Sequence, residues 1–235
     1  LFAALEAKGA MDDLVVIISS DHGENMGELG IYGEHGTADA ITCHIPMIVR
    51  WPGKVKAGAV DEALHYNMDL LPTMAELLCR PAKPHWDGRS FAKTFDGDAA
   101  PGRDQLVLSQ CCHVCQRSVR WGSWLYMRTY HDGFHLFPKE MLFDLESDPH
   151  EQNDLARIRP EICREGAWRL LNWHDDMMAT MPRGHVADPM RIVLDEGGPY
   201  HARGKLRKYA ERLEATGRGG SVAELRRRHP REFKE

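Results

Sequence analysis

Asp21 and His22 follow the apolar run Leu14–Ser19 and precede Gly23, so a carboxylate and an imidazole arrive together at the end of a β-branched stretch. In open α/β sheets ligands collect at the carboxyl ends of strands, which makes this pair a candidate metal or anion site. A turn with a helix cap would use the same dipeptide. Gly23, Gly27, Gly30, Gly33 and Gly36 recur after the pair, giving the backbone freedom to fold tightly beside a ligand. This loop lacks the GK[ST] ending of a phosphate-binding P-loop and the glycine spacing of a dinucleotide fingerprint.

The elements that must position these residues are legible in outline. Leu14–Ser19 suits a strand buried on both faces of a parallel sheet. Ile45–Trp51 reads as a second buried strand, with Pro46 at its start and Pro52-Gly53 as its turn. Leu1–Ala10 reads as the end of a helix, stopped near Gly9. Asn67–Leu78 places Met68, Leu71, Met74, Ala75 and Leu78 on one helical face. After Cys79 the composition shifts to Pro, Gly, Asp and Lys through about Arg103, a long connection. Leu106–Arg128 then alternates with period two, and Phe134–Phe137 and Met141–Leu145 continue it. The pattern predicts an antiparallel sheet of about four strands with one solvated face and turns at Gly122 and His131–Gly133. Pro160–Met181, with Ile162, Trp168, Leu171 and Met178 at helical intervals, predicts a covering helix.

With 235 residues and 43% apolar content the chain can bury a core, in one or two domains. No stretch approaches the roughly 18 consecutive apolar residues of a membrane span. The first residue is Leu1, and LFAALEAKG reads as a helix already under way, so a missing natural beginning is expected. The six cysteines form no disulfide framework; Cys111-Cys112-His113-Val114-Cys115 imitates a zinc half-site without a partner and reads as structural thiols. Compartment therefore stays open, periplasmic or secreted locations being compatible. His201–Glu235 holds 11 Lys and Arg against 5 Asp and Glu, a balance of +6, which leaves −11 for the first 200 residues. With no RNA-binding or helix-turn-helix signature, and only Tyr209 and Phe233 as aromatics there, nucleic-acid binding is not expected.

Four ordered segments carry a resemblance. SSDHGENMGELGIYGEHG followed by HIPMIVRWPG, then NMDLLPTMAELL, DGRSF, and finally RWGSWLYMR with LFDLESDPHEQNDLA, together resemble the sulfatase family of the alkaline-phosphatase-like superfamily over roughly residues 14–156. The resemblance implies an α/β chain: the C-terminal half of an alkaline-phosphatase-like fold, part of the main sheet followed by a small antiparallel sheet packed with a helix. Residues 1–103 would complete the main domain, 104–182 form the small-sheet subdomain, and 183–235 form a basic helical extension.

The same resemblance implies sulfate-ester hydrolysis with a divalent metal, by family habit Ca2+, held here by Asp21 and His22. His22 stands where many members have an amide. Many members also carry a Lys about a dozen residues further on, and here that neighbourhood reads Glu34-His35-Gly36; spacing from Asp21 points to Glu34 and spacing back from Pro46 points to His35. His35 is preferred as the catalytic and substrate-binding residue, because a cationic or proton-donating group suits the transition state. His44 is a second substrate-binding candidate, balanced against a structural role. The family nucleophile is a formylglycine made from CxPxR or SxPxR, expected upstream and absent between Leu1 and Glu235, so this chain alone is expected to be inactive. Cys79–Lys83, CRPAK, imitates that motif but ends in Lys and is read as a decoy. A phosphodiesterase or phosphonate hydrolase of the same superfamily, or a non-catalytic sugar- or polyanion-binding relative, would share much of this pattern. The expected partner is a sulfated small molecule or glycan.

Overall fold

The structure is a computed structural model that describes residues 1–97, 102–185 and 187–234. In chain order its elements are α1 (Phe2–Ala7), β1 (Val16–Ser19), β2 (Asn25–Met26), β3 (Tyr32–Glu34), α2 (Ala40–Cys43), β4 (Met47–Arg50), α3 (Leu70–Leu77), β5 (Leu106–Gln110), β6 (Cys115–Trp121), β7 (Trp124–His131), β8 (Glu140–Asp144), α4 (Pro160–Ala179), α5 (Pro189–Asp195), α6 (Leu206–Ala215) and α7 (Val222–Arg228). They form two compact units, one of Leu1–Asp21 with Ile45–Leu106, the other of His22–His44 with Val107–Glu235. No helix among the described residues is long and apolar enough to cross a membrane. Part of the expected connection after Cys79, residues 98–101, and the last residue of the basic extension lie outside the described residues.

In the first unit α1 ends before Gly9, whose φ of 63° stops it as expected. β1 and β4 form where their apolar runs lie, but their pairing corrects the parallel, doubly buried expectation. They run antiparallel as a two-stranded ribbon, Ile17 opposite Val49 and Ser19 opposite Met47. Ile18 and Ile48 are 44% and 60% exposed. Side-chain type sets strand propensity, whereas partner and burial come from tertiary neighbours. The buried face of α3 also differs from the periodicity: Met68, Leu71 and Leu78 are exposed, and Pro72, Thr73 and Ala75 face inward. A polar network turns the helix. Asp69, fully buried, is paired with Arg103 and accepts from the backbone N–H of Arg89 at 2.7 Å and of Tyr66 at 2.8 Å. Thr73 donates to Asp69 O at 2.6 Å and accepts from the Phe91 N–H. Burial opposes the charge on Asp69, yet Arg103 and the two backbone donors outweigh it and hold the carboxyl below its ordinary range. Burying Met68 and Leu71 instead would strand these polar groups without partners.

The second unit is built on the predicted four-stranded antiparallel sheet, order β5-β6-β7-β8. Gly122, φ 48°, and Ser123 make the tight β6–β7 turn, and Gly133, φ 60°, lies in the turn after β7. Phe134–Phe137 does not continue the sheet; it is irregular, because the chain turns away there before β8. Both sheet faces are covered, which corrects the expected solvated face. Leu125, Met127, Met141 and Phe143 pack with Ile31 and Val114 on one side; Val119, Trp121, Tyr126 and Leu142 pack with Cys163 and Leu170 of α4 on the other. The alternation along β7 and β8 is the period of two that sequence reading detects, with two apolar partners in place of one. α4 lies where predicted but turned: Trp168 and Leu171 are exposed, and Cys163, Gly166 and Leu170 face inward. Gly166 sets this rotation, since a Cβ there would stand 2.4 Å from the Tyr126 ring.

The C-terminal helices bury a third cluster, in which Ala202, Leu206, Ala210, Leu213, Val222 and Leu225 meet Phe134 and Tyr209. Much of the basic charge is neutralised within the unit. Asp188 caps α5 and binds Arg117 bidentately at 2.7 and 2.6 Å, and Arg228 donates to Asp132 and to Phe137 O, both at 2.6 Å.

A buried carboxylate steadies the loop that carries the candidate site. Asp39 caps α2, and the Ala40 N–H donates to Glu151 Oε1 at 2.7 Å. Burial pushes the Glu151 carboxyl up to about 8, with Asp39 adding repulsion. The folded state thus keeps a proton that the unfolded chain releases near its ordinary value of 4.5, so stability falls as pH rises from about 5 through 8. Glu151→Gln, which retains the acceptor, is expected to flatten that slope and to raise stability at pH 9 by a few kcal/mol, since each tenfold difference in proton affinity between the folded and unfolded chain is worth about 1.4 kcal/mol. Urea denaturation of both proteins at pH 5, 7 and 9 checks it; parallel curves would clear Glu151 of the effect.

A histidine-rich candidate active site

The Gly-rich loop lies wholly in the second unit, between His22 and His44. Its two ends are clasped: the Gly23 N–H donates to Thr42 O at 2.8 Å, and Asn25, fully buried, donates to the hydroxyls of Thr37 and Thr42 at 2.9 and 3.0 Å. A Cβ at Gly23 would stand 1.9 Å from Ile41 O, so only glycine permits this closure. His22 Nδ1 donates to Gly23 O at 2.8 Å, which fixes the ring beside the clasp.

On that base an array of imidazoles assembles. The His35 ring stacks on His22 with centroids 3.8 Å apart and 16° between planes. His35 Nδ1 lies 3.1 Å from Glu24 Oε2, a pairing that orients the ring. His113, in the β5–β6 connection, presents its edge to His35 at 6.0 Å and stacks on His201 at 4.2 Å. Glu34, the last residue of β3, turns to different partners: its Oε2 is 3.2 Å from His135 Nε2 and 3.8 Å from His113 Nδ1. Gly36 lets His113 come close, because a Cβ there would stand 2.4 Å from the His113 Cβ. Burial, and then the neighbouring His201, His35 and His135 imidazoles, hold His113 below its ordinary value, against the pull of Glu34.

Donor atoms of His22, Glu24 and His35 all lie within 4.8 Å of one another. Two imidazoles and a carboxylate form a donor set for a divalent cation of the zinc type, whereas calcium takes six to eight oxygens. Asp21 closes a stretch of the first unit and is exposed, accepting from the Ser20 hydroxyl at 3.4 Å. His44 is the exposed C-cap of α2 and makes none of the ring contacts that join His22, His35, His113 and His201. A second metal-capable group, His131, Asp132 and His229, lies elsewhere in the same unit, where Asp132 already receives Arg228. Neither group contains a cysteine. All six thiols are free, and the Cys111 thiol is brought down to about 7 by a hydrogen bond with Cys115, with Arg117 assisting.

Sequence reasoning reached His22 and His35 but missed Glu24, His113, His135 and His201. His113 sat inside a run read for its cysteines, and His201 inside a tail read for its charge. No spacing rule links positions 35, 113, 135 and 201; the β5–β6 and β7–β8 connections and the C-terminal segment bring them together.

Solved sulfatase structures of the alkaline-phosphatase-like class share this chain's fold. One of them, from a study of glycosaminoglycan metabolism by Bacteroides thetaiotaomicron, superposes with a TM-score of 0.57 at 25% identity, covering 73% of this chain and 41% of the other. Residues 1–79 match the family model described as Sulfatase, and the chain belongs to the sulfatase family. Human arylsulfatase K is 30% identical over 172 residues, 69% of this chain and 31% of that protein. A multifunctional alkaline phosphatase superfamily protein of Trinickia caryophylli is 28% identical over 196 residues, 74% of this chain and 36% of that protein. The chain spans about a third of the length of these curated relatives.

Proposed function

We propose that this chain is part of an enzyme that hydrolyses sulfate esters. The observation that carries the reading is the His22–His35 stack with Glu24 in the clasped glycine loop, within a chain of the sulfatase family. Asp21 and His22 would hold a divalent cation, which supplies positive charge to the sulfuryl oxygens. His35, oriented through Nδ1 by Glu24, holds at Nε2 the proton that the departing alkoxide needs. His44 serves as a further substrate contact at the exposed end of α2. The nucleophile, a formylglycine, belongs to sequence outside this chain. Cys79, exposed, with φ 53° and following α3 in the first unit, is read as a decoy of the formylglycine motif.

Phosphonate monoester hydrolases are among the solved structures that share this fold, which keeps phosphodiester or phosphonate hydrolysis as a second reading. Rates of the natural-length protein on p-nitrophenyl sulfate, a bis-p-nitrophenyl phosphodiester and a phenylphosphonate monoester separate the two. The sulfate ester is expected to be turned over at least about tenfold faster, in kcat/KM, than either phosphorus ester. The reverse order would install the second reading, and no turnover of any ester would leave a binding protein.

A further inference from the structure

The C-terminal segment brings to the imidazole array a surface with no role in the chemistry just described. Tyr200 is 68% exposed, yet it stands on a rigid turn between buried Pro199 and fully buried Ala202. The turn is closed by the N–H groups of Ala202 and Arg203, which donate to Pro199 O at 3.0 and 2.9 Å. The next residue is pinned as well: the His201 N–H donates to Cys112 O at 3.2 Å, which sets its ring on His113 at 4.2 Å. Tyr200 meets the His201 ring edge-on at 5.5 Å and 87°, and Lys205 Nζ lies 5.7 Å from the Tyr200 centroid. An aromatic ring held in place in solvent, flanked by an imidazole and an ammonium, offers an apolar face to a flat ligand and a hydrogen-bonding ring and a cation to its substituents.

We propose that Tyr200, His201 and Lys205 form a subsite for an anionic sugar, Tyr200 stacking on the pyranose ring while His201 and Lys205 take its sulfate or carboxylate group. This rests on the sulfate-ester reading and narrows it, from any sulfate ester to a saccharide carrying negative charge beyond the reacting group. Two observations favour a sugar over a small aryl ester. The aromatic face is wide and open, whereas an aryl group gains most in an enclosed apolar pocket. The subsite is joined to His35 through stacked His201 and His113, so a ligand on Tyr200 would extend away from the reacting group along the array. Arg203 belongs to the turn itself, paired with Glu196.

The test reads binding, so it stands apart from turnover. The full chain is titrated by calorimetry with a monosulfated chondroitin-type disaccharide, which also bears a uronate; with its desulfated form, which keeps only the carboxylate; and with inorganic sulfate. The sulfated disaccharide is expected to bind at least about tenfold more tightly than inorganic sulfate. Tyr200→Ala and Lys205→Ala should each weaken it about fivefold or more, Tyr200→Ala leaving inorganic sulfate unchanged, and Tyr200→Phe should retain it. The desulfated form tells which anion the cations read: equal affinity assigns them to the carboxylate, a large loss to the sulfate, and either supports the subsite. Because both side chains are exposed, the variants should fold, and an unchanged circular dichroism spectrum shows that they do. Disaccharide binding indifferent to Tyr200→Ala overturns the proposal. If the natural-length protein hydrolyses aryl sulfate but Tyr200→Ala binds the disaccharide normally, the subsite fails alone. If it hydrolyses no sulfate ester while Tyr200 still governs binding, the hydrolase reading fails and the subsite stands.

Discussion

His35→Ala in the natural-length protein is expected to slow hydrolysis of alkyl or sugar sulfates by about 10²–10⁴-fold, the usual worth of a positioned proton donor. An activated aryl sulfate should lose far less, because a p-nitrophenolate departs without a proton. The contrast isolates the acid role from mere positioning, which would slow both substrates alike. Glu24→Gln supplies a second measurement. Its amide keeps an acceptor for His35 Nδ1 but removes the carboxylate charge, so it should reproduce part of the same leaving-group dependence. Equal losses on both esters in His35→Ala would assign His35 to substrate orientation, and unchanged rates would make it a loop residue stacked on His22 for packing.

Asp21→Ala is expected to reduce turnover below about one-thousandth and to lower bound divalent metal, since a lost anionic ligand leaves the remaining donors short of charge and number. His22→Ala should do the same by another route, taking away an imidazole donor and the ring on which His35 stacks. Metal analysis after gel filtration, with zinc, manganese and calcium each offered in turn, checks both variants. Full occupancy in Asp21→Ala would remove that residue from the site and leave His22, Glu24 and His35 as the binding group. Preference for calcium in the unaltered protein would show that oxygen donors beyond this trio dominate the site.

The sequence by itself determined the family, the longer strands and helices in their order, and the loop on which the site is built. Apolar runs marked β1 and β4, alternation marked β6, β7 and β8, and the recurrence of glycine after Asp21-His22 marked a segment that must fold tightly. These features are legible because they depend on neighbours within a few residues, where side-chain period and backbone freedom act directly. Tertiary structure alone decided which faces are buried and which distant side chains meet. Period-two alternation shows that a strand has two faces but not that Ile31 and Leu170 cover opposite sides of the same sheet. Helical periodicity favoured Met68 and Leu71 as core, yet the polar partners of Asp69 and Thr73 turned α3 the other way. Between Glu34 and His35, spacing left two answers. Adjacent residues at the end of a strand project to opposite sides, so Glu34 went to His135 and His113 while His35 went to Glu24 and His22. His113 and His201 joined the site only because hydrogen bonds and stacking close loops 88 residues apart, a cooperation between distant segments that no local pattern encodes.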